Sequence, residues 1–403
     1  MHIVFVCREY PPSLRMGGIA AYLKETAENL VQLGHQVEII CASDDTRCHS
    51  ESTINGVHII RIEGGDFIIP GIEDKNSRFY KLRILYRFFS YRKRIKEEIL
   101  KLKHVDIIEV PEFGAEAYYL LDLPIPIVLR LHTPTLLDRK NCTKKAFQLS
   151  KFYEYFVGLK ELKILKKAKY ITSCSKSLAN WCTEFVPESK GKIQVIYNSI
   201  NIDKWTRNSN NLYQEDSILF VGTVAEEKGV GDLVNACQIL HEGNHIVNLT
   251  IVGKLGSYAL NLQDYCKRKK LSWCKFTGHV SRDQLQNLYS THKVSVFPSW
   301  WEAYGLVCVE ALACGNIVIG SKSGGMKEII DDGIEGFLIP PKQPNVLSET
   351  IMKALCMSHK EIEDIRKKAH KRITDQFSTE EINKQLVNYY LTVIYEFKKN
   401  TLG

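Results

Sequence analysis

Short apolar runs alternate with stretches of helical period along most of the 403-residue chain, the pattern of parallel sheets whose strands are joined by crossover helices. In the first half, His2 to Cys7, Gln36 to Ala42, Val57 to Ile62, Val105 to Val110, Ile125 to His132, Tyr170 to Ser173 and Lys192 to Tyr197 read as strands. Helices are predicted between them, notably over Gly18 to Leu33 and Lys144 to Lys169. The polar stretch Asn198 to Asp216 has no strong period and reads as a link. A second series follows: Ser217 to Gly222, Val247 to Gly253, Cys274 to Thr277, Val294 to Pro298 and Asn316 to Gly320, with a last helix over Glu381 to Lys399. The pattern predicts an α/β protein of two domains, 1–200 and 201–380, followed by a terminal helical segment, 381–403. No solenoid-type repeat is present.

Composition changes this picture little. The length suits two cores rather than one, and 44% hydrophobic with 25% charged residues is ordinary for a globular protein. No run of eighteen apolar residues predicts a transmembrane helix. The opening apolar run meets Arg8 and Glu9 at once, so it reads as a buried strand and not a signal peptide, and the expected compartment is the cytoplasm. Twelve cysteines include no C-x-x-C pair, and Cys7, Cys41, Cys308 and Cys314 sit in apolar patterns. Reduced, buried thiols are expected, with no metal site, and Cys174 and Cys182 are read as an incidental exposed pair.

The net charge of +8 has a location. Residues 78–103 hold ten basic residues (Arg78, Lys81, Arg83, Arg87, Arg92, Lys93, Arg94, Lys96, Lys101 and Lys103) against Glu97 and Glu98, which is the whole of the excess. Phe79, Tyr80, Leu82, Ile84, Leu85, Tyr86, Phe88, Phe89 and Tyr91 are interleaved with them. Two readings stand: an amphipathic helix lying on an anionic membrane, and a solvated helix with an apolar core face. Nucleic-acid binding is not expected, because no recognised module accompanies the patch.

The strongest chemical signal is Ser299-Trp-Trp-Glu302-Ala-Tyr-Gly305-Leu-Val-Cys-Val-Glu310, in which Glu310 is the lone charge between Ala303 and Ser321. A carboxylate in a buried helix costs several kcal/mol unless something hydrogen-bonds to it. A ligand or a protein Arg or Lys are the two candidates. Gly305 opens the helix, and the first amides of a helix form an anion site. Amides for phosphate and carboxylates for hydroxyls describe a nucleotide sugar. Elsewhere, Gly17-Gly18 at the first strand-to-helix turn suits either a close anion or a plain turn, and does not match G-x-G-x-x-G. His132 ends a strand, where it can hydrogen-bond a sugar hydroxyl or serve the core. Lys228, just before a helix, opposes the helix dipole and makes sense with an anion between them, or with Glu226 and Glu227 as partners.

The segment Glu302 to Glu310 resembles the E-x7-E element of retaining glycosyltransferases with the two-domain GT-B fold, and the chain as a whole is similar to glycosyltransferase family 4. The resemblance implies two Rossmann-like domains with parallel sheets facing across a central cleft, the N-terminal one receiving the acceptor and the C-terminal one the nucleotide sugar, and a terminal helix that crosses back to the first domain. It implies that Glu302 contacts the transferred sugar and Glu310 the ribose, that His132 meets the donor sugar, and that Gly18 and Lys228 lie at the diphosphate. The amides of Tyr304, Gly305, Leu306 and Val307 join them there. Family members usually carry an Arg directly after the strand glycine; here that position is Thr223. Lys254, following Val252-Gly253, falls where the family holds base and phosphate, and Lys254 is the residue that compensates for Thr223 if any does. Ser323-Gly324-Gly325 resembles a second glycine turn and Tyr197-Asn198-Ser199 a hinge, while Trp300 and Trp301, read from their chemistry alone, either stack on a sugar or base or serve as core aromatics. Expected catalytic residues are thus Glu302, His132 and Lys228, with no metal and no cofactor beyond the nucleotide-sugar co-substrate. The expected reaction is metal-independent retaining transfer of a sugar from a UDP- or GDP-sugar to a hydroxyl acceptor, a lipid-linked glycan in cell-surface polysaccharide or glycolipid assembly. The alternatives are a soluble small-molecule acceptor, or a weakened partner subunit that binds donor without turnover.

Overall fold

The computed structural model describes residues 1–13, 17–44, 48–63, 80–136, 152–206 and 213–402. Arg78 and Phe79 of the basic segment, the start of the helix read from Lys144, and the link residues 208–211 lie outside the described residues. The chain folds into two compact units, Met1–Ser199 with Thr379–Gly403, and Ile200–Ser378.

The first unit is built on β1 (His2–Val6), α1 (Gly18–Gln32), β2 (Gln36–Ala42), β3 (Ser50–Ile54), β4 (Val57–Ile62), α2 (Tyr80–Lys101), β5 (Ile107–Pro111), β6 (Ile127–Leu131), α3 (Phe152–Lys167), β7 (Tyr170–Ser173), α4 (Lys176–Phe185) and β8 (Ile193–Val195). Its sheet runs β3-β4-β2-β1-β5-β6-β7-β8. Every pairing is parallel except β3 with β4. β1, β5 and β6 are buried along their whole length, which is why they read as largely apolar runs, with Glu109 in β5 and Arg130 in β6 as buried charges. β3 escapes the pattern because Ser-Glu-Ser-Thr-Ile is an exposed polar edge strand.

The second unit follows the same plan with β9 (Gln214–Val221), α5 (Val230–Glu242), β10 (Asn248–Val252), α6 (Ser257–Arg268), β11 (Cys274–Gly278), α7 (Arg282–Thr291), β12 (His292–Phe297), α8 (Leu306–Ala313), β13 (Ile317–Ser321), α9 (Met326–Ile329), β14 (Phe337–Ile339), α10 (Pro344–Leu355) and α11 (His359–Phe377). The sheet order is β11-β10-β9-β12-β13-β14, all parallel. From β9 the chain winds outward to β10 and β11, then returns to place β12 on the other side of β9. The strand order therefore reverses between β9 and β12, the switch point at which open α/β sheets bind ligands. β14, three residues long, is too short to carry a period and adds a strand that the sequence pattern does not show.

The last helix, α12 (Thr379–Leu402), belongs to the first unit. Ile382, Leu386, Tyr390 and Val393 recur at helical spacing and enter that unit's core with Leu23, Ala27 and Leu30 of α1. Asn383 donates to Asn29 Oδ1 at 2.7 Å, and the Tyr390 hydroxyl donates to buried Glu109 at 2.7 Å. Arg130, also buried, donates to Asn198 Oδ1 at 2.8 Å and lies 4.5 Å from the Tyr22 ring.

The basic helix α2 has a core face and an outer one. Ile84, Phe88, Tyr91, Ile95 and Ile99 are buried, and so is Arg92, which donates to the Phe88, Gly114 and Ala115 carbonyls. Arg92 is therefore not part of a basic surface. Leu82 and Tyr86 remain 65% and 73% exposed. Cys174 and Cys182 are both buried, correcting the expectation of an exposed pair: Cys174 follows β7 directly, and Cys182 lies on the inner face of α4. Truncating Leu386 to Ala is expected to destabilise by about 2–5 kcal/mol. In two-transition calorimetry the loss should fall on the transition of the Met1–Ser199 unit alone.

Candidate active site

The carboxyl ends of β9 and β12 carry the residues that the sequence singles out. After β9 the chain passes Gly222 and exposed Thr223 to a 3-10 turn, Glu226–Lys228, and then to Gly229, which opens α5 in the left-handed region at φ 68°. A Cβ on Gly229 would lie 2.1 Å from the Pro298 carbonyl oxygen, beyond the end of β12, so only glycine fits the angle and the space. Trp300 N–H donates to the Glu227 carbonyl at 2.8 Å, and Trp300 Nε1 donates to Asp232 at 2.8 Å. These contacts fix the two loops against each other. Across them Lys228 Nζ meets Glu302 Oε2 at 2.5 Å, with side chains 29% and 23% exposed. Ser299 Oγ donates to the same carboxylate oxygen at 3.4 Å.

Glu302 is held from its other side. Gly325 N–H donates to the Glu302 carbonyl at 2.8 Å. Gly324, at φ 80°, comes so close that a Cβ would lie 2.1 Å from the same oxygen. The second glycine turn thus supports the Glu302 backbone. Three residues on, Gly305 caps α8 with no side-chain bond to the helix amides, leaving the first turn of α8 as a set of N–H groups suited to an anion. Glu310 lies on the same helix, half-buried rather than enclosed, and Tyr289 Oη approaches its Oε2 at 3.5 Å. Partial exposure lets water share the cost of the charge, correcting the expectation of a buried carboxylate.

Not every expected residue converges here. The Tyr304 ring is buried, 6.4 Å from Phe377, so its side chain belongs to the core. Trp300 has Lys342 Nζ 3.8 Å from its ring centroid and its indole N–H committed to Asp232, so it does not offer two free faces for stacking. Thr223 and Lys254 are exposed at the tips of neighbouring β9 and β10, where Val224 N–H donates to the Lys254 carbonyl at 3.3 Å. Among the described residues no group of three or more His, Cys, Asp or Glu is arranged to hold a metal.

In the first unit, Gly18 is exposed at the start of α1, and His132 follows β6. Two buried carboxylates that sequence reasoning missed hold this strand end. Glu112 accepts His132 N–H with both oxygens, each at 2.9 Å, and Thr133 N–H at 2.6 Å. Glu161 accepts Thr135 N–H and hydroxyl at 2.7 and 2.9 Å, and Gly114 N–H at 2.7 Å. Their signal is present in the sequence: each is an acid inside an otherwise apolar or helical pattern, at Pro111-Glu112-Phe113 and on α3. Burial, then the charge of Glu161, pushes Glu112 up to about 8, against the pull of its N–H donors. Burial, then Arg130, pushes His132 down to about 3. The imidazole is therefore neutral at physiological pH and serves as a hydrogen-bonding group without positive charge.

Comparison with known proteins decides the family. A model described as Glycosyltransferase Family 4 matches residues 16–204, and one described as Glycosyl transferases group 1 matches residues 201–372. The chain is a family 4-like glycosyltransferase. An uncharacterized glycosyltransferase of Methanocaldococcus jannaschii is 28% identical, covering 97% of this chain and 98% of its own. Among solved structures, the sucrose-phosphate synthase of Thermosynechococcus elongatus aligns with a TM-score of 0.79 at 20% identity, over 98% of this chain and 99% of its own. Anabaena HepE, in complex with UDP and glucose, aligns at 0.70 and 18% identity, over 96% and 98%. These likenesses give the glycosyltransferase the GT-B fold.

The buried pair of groups has a pH signature. Glu112 ionises near 4.5 unfolded and near 8 folded, so its contribution declines as pH rises through that interval. His132 works in the opposite sense, with stability lost as pH falls from 6.5 towards 3. Opposed slopes should give a plateau near pH 5–6, with melting temperature falling on either side. Glu112→Gln should flatten the alkaline limb; a limb unchanged in the variant would refute the assignment to Glu112.

Proposed function

We propose that this glycosyltransferase is a metal-independent, retaining enzyme that moves a sugar from a nucleoside diphosphate, UDP or GDP, to a hydroxyl acceptor. The observation that carries this reading is the meeting of Lys228 with Glu302 beside the uncapped N-terminus of α8, at the switch point between β9 and β12. As the glycosidic bond loosens, the sugar acquires oxocarbenium character and negative charge grows on the departing diphosphate. Lys228 and the amides of Leu306 and Val307 are preorganised for that charge, the largest single aid such a site can give. The family pattern assigns Glu302 to the sugar hydroxyls and Glu310, further along α8, to the ribose. Neutral His132 and Gly18 are the contributions the family pattern assigns to the first unit. The binding of UDP and glucose by HepE supports a nucleotide sugar as donor. The exposed Thr223, in place of the usual Arg, favours as second reading a subunit that binds donor with weak turnover.

The acceptor follows from α2. Its exposed Leu82 and Tyr86 lie among Arg83, Arg87 and Lys93, and Lys160 and Lys163 of α3 lie over the Tyr118 ring. Apolar side chains with a basic surround suit the anionic face of a membrane, which makes a lipid-linked glycan the proposed acceptor and the cytoplasmic membrane face the proposed location. Among the described residues no helix is long and apolar enough to cross a membrane.

Incubation with a panel of nucleotide sugars tests the reaction. Steady release of nucleoside diphosphate is expected, with the anomeric configuration kept in the transferred product, and binding without release would favour the weakened subunit. Lys228→Ala should lower turnover at least about a hundredfold with little loss of stability. Glu310→Gln should weaken nucleotide and nucleotide-sugar binding together. For the membrane, Arg83, Arg87 and Lys93 reversed to Glu, leaving buried Arg92 intact, should release the protein from anionic liposomes; equal sedimentation of variant and wild type would point to a soluble acceptor.

A further inference from the structure

Lys228 is the cation proposed for the donor diphosphate, yet its ammonium sits on a carboxylate of the same site. Both side chains issue from backbones that cannot easily part. Lys228 ends a turn tied to the Pro298–Glu302 loop by the Trp300 N–H to Glu227 bond and by the Gly229 contact, while Glu302 is pinned by Gly324 and Gly325. The pair is therefore a built feature of the switch point and not a chance meeting of two long surface side chains. At 2.5 Å and about three-quarters buried, it neutralises the Lys with a carboxylate that stands three residues before the Gly305 cap of α8.

We infer that Glu302 is an internal competitor for Lys228: it holds the ammonium while the donor site is empty, yields it to the diphosphate of the incoming donor, and recaptures it as the diphosphate product leaves. This rests on the donor-site reading above and adds a second role for Glu302 beyond contact with the sugar. The exchange conserves charge pairing. Lys228 passes from one anion to another, and the freed Glu302 carboxylate becomes available to the sugar hydroxyls only when phosphate has arrived. A diphosphate without a sugar leaves that carboxylate with no sugar to bind, so the empty product complex is the weakened one. The site thereby discriminates an intact nucleotide sugar from the nucleoside diphosphate it produces.

Calorimetric titration of the whole protein with inorganic pyrophosphate, UDP and GDP tests this. Removing the competing charge in Glu302→Gln should tighten pyrophosphate and nucleoside diphosphate about three- to tenfold at low salt, the range of a partly exposed ion pair with a charge-assisted bond. The advantage should shrink as salt is added. Lys228→Met should bind weakly, and adding Glu302→Gln to it should change nothing, since the competition runs through Lys228. Equal affinity of wild type and Glu302→Gln overturns the inference while leaving the donor site standing. An equal gain in the Lys228→Met background also overturns it, because simple repulsion between Glu302 and phosphate would then suffice. Failure of wild type and every variant to bind any of the three probes removes the donor-site reading itself, and this inference with it.

Discussion

The arrangement of the second unit depends on how closely two loops approach at the carboxyl ends of β9 and β12. Gly229 against the Pro298 carbonyl, and Gly324 against that of Glu302, leave no room for a side chain. The backbone contacts so permitted bring Lys228 to Glu302 and set both beside the opening of α8. A parallel sheet alone supplies a place where loops diverge. Here the glycines hold the two loop backbones in place, so that only side chains, Lys228 and Glu302 among them, are left to rearrange at the strand ends.

The first unit solves a different problem. Its strand ends are braced by carboxylates that accept backbone N–H groups: Glu112 takes His132 and Thr133, while Glu161 takes Thr135 and Gly114. Buried acids are costly unless so bonded, and the bonds answer for the amides of a turn that has no ladder partner. The same surroundings keep the His132 imidazole neutral. Buried Arg92 and Arg130 serve carbonyl and amide oxygens in the same manner. Much of the polar chemistry in this unit thus supports loops rather than facing solvent.

How far the sequence disclosed this follows from the range of each interaction. Strands buried on both faces, such as His2–Val6 and Ile317–Ser321, announce themselves as mainly apolar runs, while Ser50–Ile54, polar at an exposed edge, and Phe337–Ile339, three residues long, do not. Gly305 opening α8 was legible because a local rule governs it. The contact of Lys228 with Glu302, 74 residues apart, was not, since nothing local encodes a partner so distant. Glu112 and Glu161 stand out locally as acids in apolar or helical surroundings, but their partners 20 and 26 residues away do not, and Arg92 is hidden for the same reason: one cation among ten in a basic run looks exposed until the helix face is known.

The central claim is that the switch point between β9 and β12 is the donor diphosphate site. A crystal structure of the protein with UDP or GDP bound tests it most directly. The account predicts diphosphate oxygens within hydrogen-bond distance of Lys228 Nζ and of the Leu306 and Val307 amides, the ribose hydroxyls on Glu310, and Lys228 parted from Glu302. Nucleotide bound elsewhere on the unit, or a diphosphate at α8 with the Lys228–Glu302 pair still closed, would contradict it.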